Sequence, residues 1–140
     1  MARIPLVPRW LRWSAVAVAA AAIAAASLLV VPPETPETGA IGFDKLWHAA
    51  TYLGFGLLLA YALVETGFST RTKVALVFGV ATLFGLGIEI GQAFVPYRRY
   101  DVLDMVANAV GAALACGWYR YESRMEFVGA LGADDSEVID

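Results

Sequence analysis

Four long apolar segments, separated by short polar connectors, set the pattern of this 140-residue chain. They cover about residues 10–31, 45–64, 72–95 and 102–121. Each is close to the roughly 20 residues that an α-helix needs to cross about 30 Å of hydrocarbon. Proline, glycine, serine, threonine and charged residues fill the connectors, where they mark helix ends. The pattern predicts an all-α integral membrane bundle of four transmembrane helices.

Composition supports the membrane class. The chain is 59% hydrophobic and 16% charged, whereas a typical soluble domain is about 25% charged. The formal net charge of -3 comes largely from an acidic C-terminal stretch, and no basic surface is predicted that would bind nucleic acid. The single cysteine, Cys116, excludes an intramolecular disulfide.

We therefore divide the chain into a transmembrane domain, residues 1–125, and an acidic disordered tail, residues 126–140. The first apolar segment has an alternative interpretation as a cleaved signal peptide, because three arginines precede it. Its run of about 18 uncharged residues exceeds the 7–15 residues of a usual signal core. A retained helix is the preferred interpretation.

Lys and Arg fall unevenly on the two sides of the predicted spans. On the side of the termini lie Arg3, Arg9, Arg12, Arg71, Lys73, Arg120 and Arg124; on the other side lie Lys45, Arg98 and Arg99. Cytoplasmic loops carry the excess of Lys and Arg in membrane proteins. The distribution predicts a multi-pass protein of the plasma membrane with both termini in the cytoplasm.

Polar residues converge at the predicted outer ends of three helices. Helix two begins with "DKLWH" (44–48), helix three ends with "EIGQ" (89–92), and helix four follows "PYRRYD" (96–101). The polar positions are spaced three or four apart, so each set shares one helix face. Ionisable residues at that depth are costly unless they pair or face a wet cavity. An outward-facing polar pocket is therefore predicted.

The pocket residues divide by the chemistry that each side chain offers. The candidate catalytic residues are His48, Glu89, Asp101 and Asp104; the candidate anion-binding residues are Lys45 and Arg98; the candidate supporting residues are Asp44, Gln92 and Asn108. Histidine and carboxylates move protons. They also bind divalent cations, so His48, Glu89, Asp101 and Asp104 are candidate metal ligands as well.

Each of these residues also has a purely structural explanation. His48 would then be a hydrogen-bonded packing residue, and Glu89 one half of a buried ion pair. Asp101 and Asp104 would stabilise the start of helix four through capping and the helix dipole. Tyr52, Trp47, Tyr97 and Tyr100 are predicted to lie in the interfacial aromatic belt.

Taken together, the three motifs resemble the VanZ-like membrane family. Its pattern is D-K-x-x-H, then E-x-x-Q, then P-x-R-x-x-D-x-x-D-x-x-x-N-x-x-G, and residues 44–48, 89–92 and 96–111 follow it without a gap. The resemblance covers about residues 43–117. It implies a small integral membrane protein with four or five spans. It also implies an association with resistance to the glycopeptide teicoplanin, but no settled biochemical activity.

Two functions from different classes follow. In the first, the pocket recognises, and chemically processes, an envelope-derived or lipid-linked anionic group. In the second, the protein is a non-catalytic scaffold or partner-binding subunit whose polar cluster only locks helices two, three and four together. A third interpretation, an ion-coupled carrier, would need a homo-oligomer to supply further helices, since no broken span or repeat is present.

Overall fold

The computed structural model describes residues 2–31, 42–98 and 101–130. Its long helices are α1 (Arg9–Leu29), α2 (Phe43–Ala62), α3 (Thr70–Gln92) and α4 (Val102–Ala115), followed by a short helix α5 (Trp118–Tyr121), a 3₁₀ turn (Glu122–Arg124) and two strands, β1 (Ala2–Leu6) and β2 (Met125–Gly129). The mainly helical class is confirmed. The fourth predicted helix is shorter than expected, because a turn at Cys116–Gly117 separates α4 from α5.

Three helical stretches are long and apolar enough to cross a membrane: Arg9–Leu29, Thr70–Gln92 and Val102–Arg124. The prediction of membrane spans is thus confirmed for three of the four segments in the described part of the chain. Helix α2 has the length of a span, with 20 residues. It is not among these three stretches, because Lys45, His48, Thr51 and Tyr52 make it less apolar than a typical span.

The strands β1 and β2 form a two-stranded parallel sheet, with Ala2 opposite Met125 and Leu6 opposite Gly129. The all-α prediction did not include this sheet, because each strand is five residues long and its partner is more than 100 residues away. Strand β2 begins at Met125, the last residue of the assigned transmembrane domain, and its other four residues lie in the segment assigned above to the acidic tail. Residues 131–140 of that tail, and the Pro-rich stretch at 32–41, lie outside the described residues.

The sheet brings the two ends of the described chain to one end of the bundle, here called the sheet end. The start of α2, the end of α3 and the start of α4 lie at the opposite end, here called the site end. The Tyr61 hydroxyl ties β1 to α2, since it donates to Pro5 O at 2.6 Å and accepts from Val7 N at 3.1 Å. Both described chain ends are therefore on one side of the bundle.

Helix α2 packs most extensively on α4, and glycine permits the close approach. A Cβ on Gly111 would collide with the Ala49 carbonyl and lie 2.9 Å from Leu53 N. A Cβ added at Gly91 would meet Leu28 of α1, whereas one added at Gly87 would meet no atom of the described residues within 4 Å. The α2–α4 seam thus fixes how the residues of the site end meet.

Candidate functional site

Lys45 is the positive centre of the site end. Its Nζ lies 2.7 Å from Asp44 Oδ2, 2.6 Å from Asp101 Oδ2 and 2.7 Å from Asp104 Oδ1. The lysine therefore bridges the first turn of α2 and the start of α4. One ammonium group serves three carboxylates here, so the cluster as a whole is acidic.

Asp101 is the N-cap of α4, as its position in the sequence predicted. Its backbone is extended (φ −131°) and its Oδ1 accepts a hydrogen bond from Leu103 N at 2.8 Å. The hydrogen bond from Lys45 and that from Leu103 N both hold the pKa of Asp101 below its ordinary value. Both carboxylate oxygens are thus engaged in holding the helix start. A catalytic role for Asp101 stays a prediction.

His48, on α2, lies close to polar side chains of both α3 and α4. Its Nδ1 is 3.0 Å from Asn108 Oδ1 and 3.9 Å from Glu89 Oε1, and its Nε2 is 3.7 Å from Asp104 Oδ2. An amide oxygen only accepts, so the bond to Asn108 places the proton on Nδ1. The Nε2 lone pair then faces the side where Asp104 lies.

Glu89 is the most deeply buried acid of the site end. Its side chain has 0% exposure, and neither carboxylate oxygen accepts a hydrogen bond from a group in the described part of the chain. Buried polar groups are nearly always hydrogen-bonded, and each exception calls for an explanation. The end of α3 thus carries a fully buried carboxyl group without a hydrogen-bonding partner among the described residues. A catalytic role for Glu89 stays a prediction.

His48, Glu89 and Asp104 each offer one metal-ligand atom, and these atoms all lie within 4.8 Å of one another. Three of the four candidate metal ligands are therefore brought together. The fourth, Asp101, is not a member of that group among the described residues. Asn108, a predicted supporting residue, is buried and orients the histidine ring.

Arg98 and Gln92 hold the end of α1. Arg98 Nη2 donates to Ala26 O at 3.0 Å and to Val30 O at 2.7 Å, and Gln92 Nε2 donates to Ser27 O at 3.1 Å. The last carbonyl groups of a helix have no partner within it, so these donors act as a C-terminal cap. Arg98 and Lys45 have different partners. Anion binding by this pair stays a prediction.

A cavity of about 310 Å³ opens between α1, α2 and the end of α3. Its lining is formed by Ala22, Ile23, Ala26, Ser27, Trp47, His48, Thr51, Tyr52, Gln92 and Arg98. Most of this wall is apolar, whereas His48 and Arg98 add polar groups to it. The cavity thus borders the acidic cluster at His48, whereas the carboxylates of the cluster are not part of its lining.

Tyr52 corrects one prediction. It was expected in the interfacial aromatic belt, but it is only 2% exposed and packs with Phe55 and Phe84 in the core. Its hydroxyl oxygen has no hydrogen-bonding partner among the described groups. The four-residue spacing from His48 places both side chains on one face of α2, but the spacing alone does not show that this face packs inward.

A second polar cluster, at the sheet end, was missed by sequence reasoning. Arg12 is buried, forms an ion pair with Glu65 and donates to Tyr61 O at 3.2 Å. Lys73 Nζ lies 3.3 Å from Glu122 Oε1. Arg12 and Lys73 had been used only as indicators of membrane orientation. Their acidic partners are distant in sequence, so no local spacing reveals the pairs.

Comparison with known proteins identifies the family. The chain is 37% identical over 73 residues to "Uncharacterized protein C11E3.10" of Schizosaccharomyces pombe (strain 972 / ATCC 24843), and the match covers 51% of this chain and 43% of that protein. The chain thus spans less than half the length of this relative. No solved structure matches. The VanZ/LLP1 family model matches residues 4–123, which include the whole polar cluster, and the chain accordingly belongs to the VanZ/LLP1 family.

Proposed function

We propose that this VanZ/LLP1 membrane protein recognises, and chemically processes, a lipid-linked anionic group of the cell envelope at its site end. The observation that carries the proposal is the cavity between α1 and α2, whose wall includes both His48 and Arg98. Ligand sites are typically apolar clefts with a few convergent polar groups. An amphiphile with an apolar chain and a phosphate fits that description.

Arg98 is the group that would bind the anion. Its Nη2 is used by the end of α1, but its Nε is buried and has no hydrogen-bonding partner in the described part of the chain. A guanidinium group offers five N–H donors in a fixed fork, which suits phosphate. Lys45 has a different role, because three aspartates already surround it. It holds the acidic residues in place.

His48 is the group that would move a proton during processing. Its ring borders the cavity on one side and the acidic cluster on the other. A histidine oriented through one ring nitrogen keeps the other available for acid–base chemistry. In this proposal the carboxyl groups of Glu89 and Asp104 lie beside the His48 ring and stabilise its protonated form. Asp101 positions Lys45.

The charge distribution supports an orientation in which the sheet end faces the cytoplasm. The sheet end carries Arg3, Arg9, Arg12 and Lys73, so it would face the cytoplasm under the positive-inside rule. The site end would then face outward, where envelope intermediates are exposed. Fusing a reporter active only in the cytoplasm to the C-terminus tests this orientation.

Lipid selectivity tests the proposed function directly. The purified full-length protein would be placed in nanodiscs and offered a polyprenyl phosphate or the matched polyprenol, with retention measured by native mass spectrometry. We expect at least tenfold preference for the phosphate. Arg98→Gln should abolish this preference, whereas Tyr97→Phe should keep it, because Tyr97 OH also bonds the end of α1, at Leu28 O.

A second pair of variants tests the cavity itself. Ala22→Phe would fill it, whereas Ala21→Phe adds the same bulk at an exposed neighbour outside the lining. Equal retention of phosphate and alcohol by the wild type would exclude the proposal, as would unchanged binding in Ala22→Phe. Conversion of the bound lipid, followed by ³¹P NMR, should stop in His48→Gln while binding persists.

A structural role for the whole cluster is the second candidate. It is favoured by the three-way bridge of Lys45 and by the capping of α1 through Arg98 and Gln92. A scaffold predicts that His48→Gln and Arg98→Gln lower the thermal stability in detergent. It also predicts no selectivity between the two lipids.

A further inference from the structure

The acidic cluster has a feature that lipid recognition does not use: a histidine nitrogen and two carboxylates, from α2, α3 and α4, converge on one point. We infer that His48, Glu89 and Asp104 bind a divalent transition-metal ion such as Zn²⁺ or Mn²⁺. The inference rests on the geometry of these three residues and does not depend on the proposed lipid ligand. A metal ion on His48 Nε2 would, however, exclude the proton transfer proposed above for that nitrogen.

Separation of the donor atoms fits a compact site. Ligands of a tetrahedral Zn²⁺ ion, with bonds of about 2.1 Å, are about 3.4 Å apart. The three donor atoms here lie within 4.8 Å of one another, so shifts of roughly 1 Å by each side chain would complete the site. Each donor comes from a different helix, namely α2, α3 and α4. The packing of these helices therefore sets the shape of the site.

Glu89 provides the second, independent observation. Its carboxyl group is completely buried, its two oxygens have no hydrogen-bonding partner in the described residues, and one of these oxygens lies within 4.8 Å of the donor atoms of His48 and Asp104. A buried carboxylate is costly unless it is paired or coordinates a metal. Membrane helix packing alone does not require an acid there. A bound cation supplies the missing partner.

The surrounding residues support metal ligation by orienting the ligands. Asn108 Oδ1 accepts the Nδ1 proton of His48 at 3.0 Å, which leaves Nε2 free to bind a metal. Lys45 Nζ contacts Asp104 Oδ1 at 2.7 Å and leaves Oδ2 on the histidine side. Such outer contacts fix the tautomer and the direction of the ligands in known metal sites.

The donor set also indicates which class of cation binds. Mg²⁺ and Ca²⁺ prefer sites made entirely of oxygen ligands. Imidazole together with carboxylates suits Zn²⁺, Mn²⁺ or Fe²⁺. Three protein ligands leave a further coordination position open, which is the arrangement of catalytic rather than structural zinc sites.

Direct metal binding tests the inference without any assay of activity. The full-length protein would be purified in detergent, stripped with chelator and titrated with Zn²⁺ by calorimetry. We expect one equivalent per chain in the wild type, with at least tenfold weaker binding in Glu89→Gln, Asp104→Asn and His48→Gln. Asp44→Asn is the matched control, because it removes the same charge beside Lys45 but no ligand.

Two results would overturn the site. One is the absence of stoichiometric Zn²⁺ binding in the wild type. The other is equal weakening by Asp44→Asn and Glu89→Gln, which would show that the acids attract cations without forming a site. Electron paramagnetic resonance of the wild type with Mn²⁺ adds a test that needs no variant. Magnetic coupling to a histidine nitrogen is expected, and its absence would contradict ligation by His48.

Discussion

The two ends of the bundle both bury charge, yet they balance it differently. At the sheet end, Arg12 pairs with Glu65 and Lys73 pairs with Glu122, so each cation faces one acid. At the site end, Lys45 faces three aspartates, and His48 is the only basic group within 4 Å of the Glu89 carboxyl among the described residues. Both ends contain basic and acidic side chains. The ratio of acid to base separates the two ends.

The ratio of acidic to basic groups offers a criterion for separating structural from functional charges in a membrane bundle. In a balanced pair with further hydrogen bonds, such as Arg12 with Glu65 and Tyr61 O, attraction within the protein offsets the desolvation cost of the buried charge. An acid without a partner lacks this compensation. Natural proteins keep such costly arrangements mainly where function needs them. The comparison thus favours structure at the sheet end and ligand binding at the site end.

The largest expected effect concerns the seam that supports the site end. Gly111→Ala should destabilise the protein by about 3 kcal/mol, because the added methyl group meets the Ala49 carbonyl, which belongs to the backbone and cannot turn away. Thermal unfolding in detergent measures the change. Gly54→Ala is the control, since its Cβ meets no atom within 4 Å. Equal melting temperatures for the two variants would contradict the described α2–α4 packing.

The next largest effect is expected at the sheet end. Glu65→Gln should cost about 2 kcal/mol, because it leaves the guanidinium group of Arg12 buried without a counter-charge. Glu65 is itself half-exposed, so the cost is below that of a fully buried pair. Glu126→Gln, in the exposed pair with Arg3, should cost about 0.5 kcal/mol or less. An unchanged free energy of unfolding in Glu65→Gln would show that the Arg12–Glu65 pair does not stabilise the fold.

Glu89→Gln should give the opposite result at the site end. Stability of the metal-free protein should stay unchanged or rise by up to about 1 kcal/mol, because a buried carboxyl without a hydrogen-bonding partner becomes a neutral amide of similar shape. Chemical or thermal unfolding with chelator present measures it. A loss as large as that of Glu65→Gln would show that both ends serve packing alone.

The smallest effect is a pH dependence at the cap of α4. The pKa of Asp101 is lowered in the folded protein by Lys45 and Leu103 N, so the folded state binds fewer protons there than the unfolded state. Its stabilising contribution is complete above the unfolded pKa of about 3.9 and is lost as pH falls through the lower folded value. Asp101→Asn should remove this dependence below about pH 4. Thermal unfolding of the wild type and of Asp101→Asn, measured between neutral and acidic pH, tests this prediction. An equal loss of stability in the two proteins would contradict it.

Much of the site could be predicted from the sequence because helix spacing is local. The regular spacing of Asp44, His48 and Tyr52 on α2 required only the geometry of one helix. The metal candidates His48, Glu89 and Asp104 followed from placing three helix ends on one side. Tyr52 was misplaced, since the same spacing does not reveal whether a face points to the interface or to the core.

The mainly helical class, the apolar stretches and the position of the polar motifs at helix ends all follow from the amino-acid sequence alone. These depend on hydrophobic runs and on residues a few positions apart. Helix packing is what brings Asp104, one turn after the N-cap, to face His48, and what turns Arg98 to the end of α1. The tertiary structure also decided the pairing of β1 with β2. Such partners meet through the packing of distant segments, which no local pattern encodes.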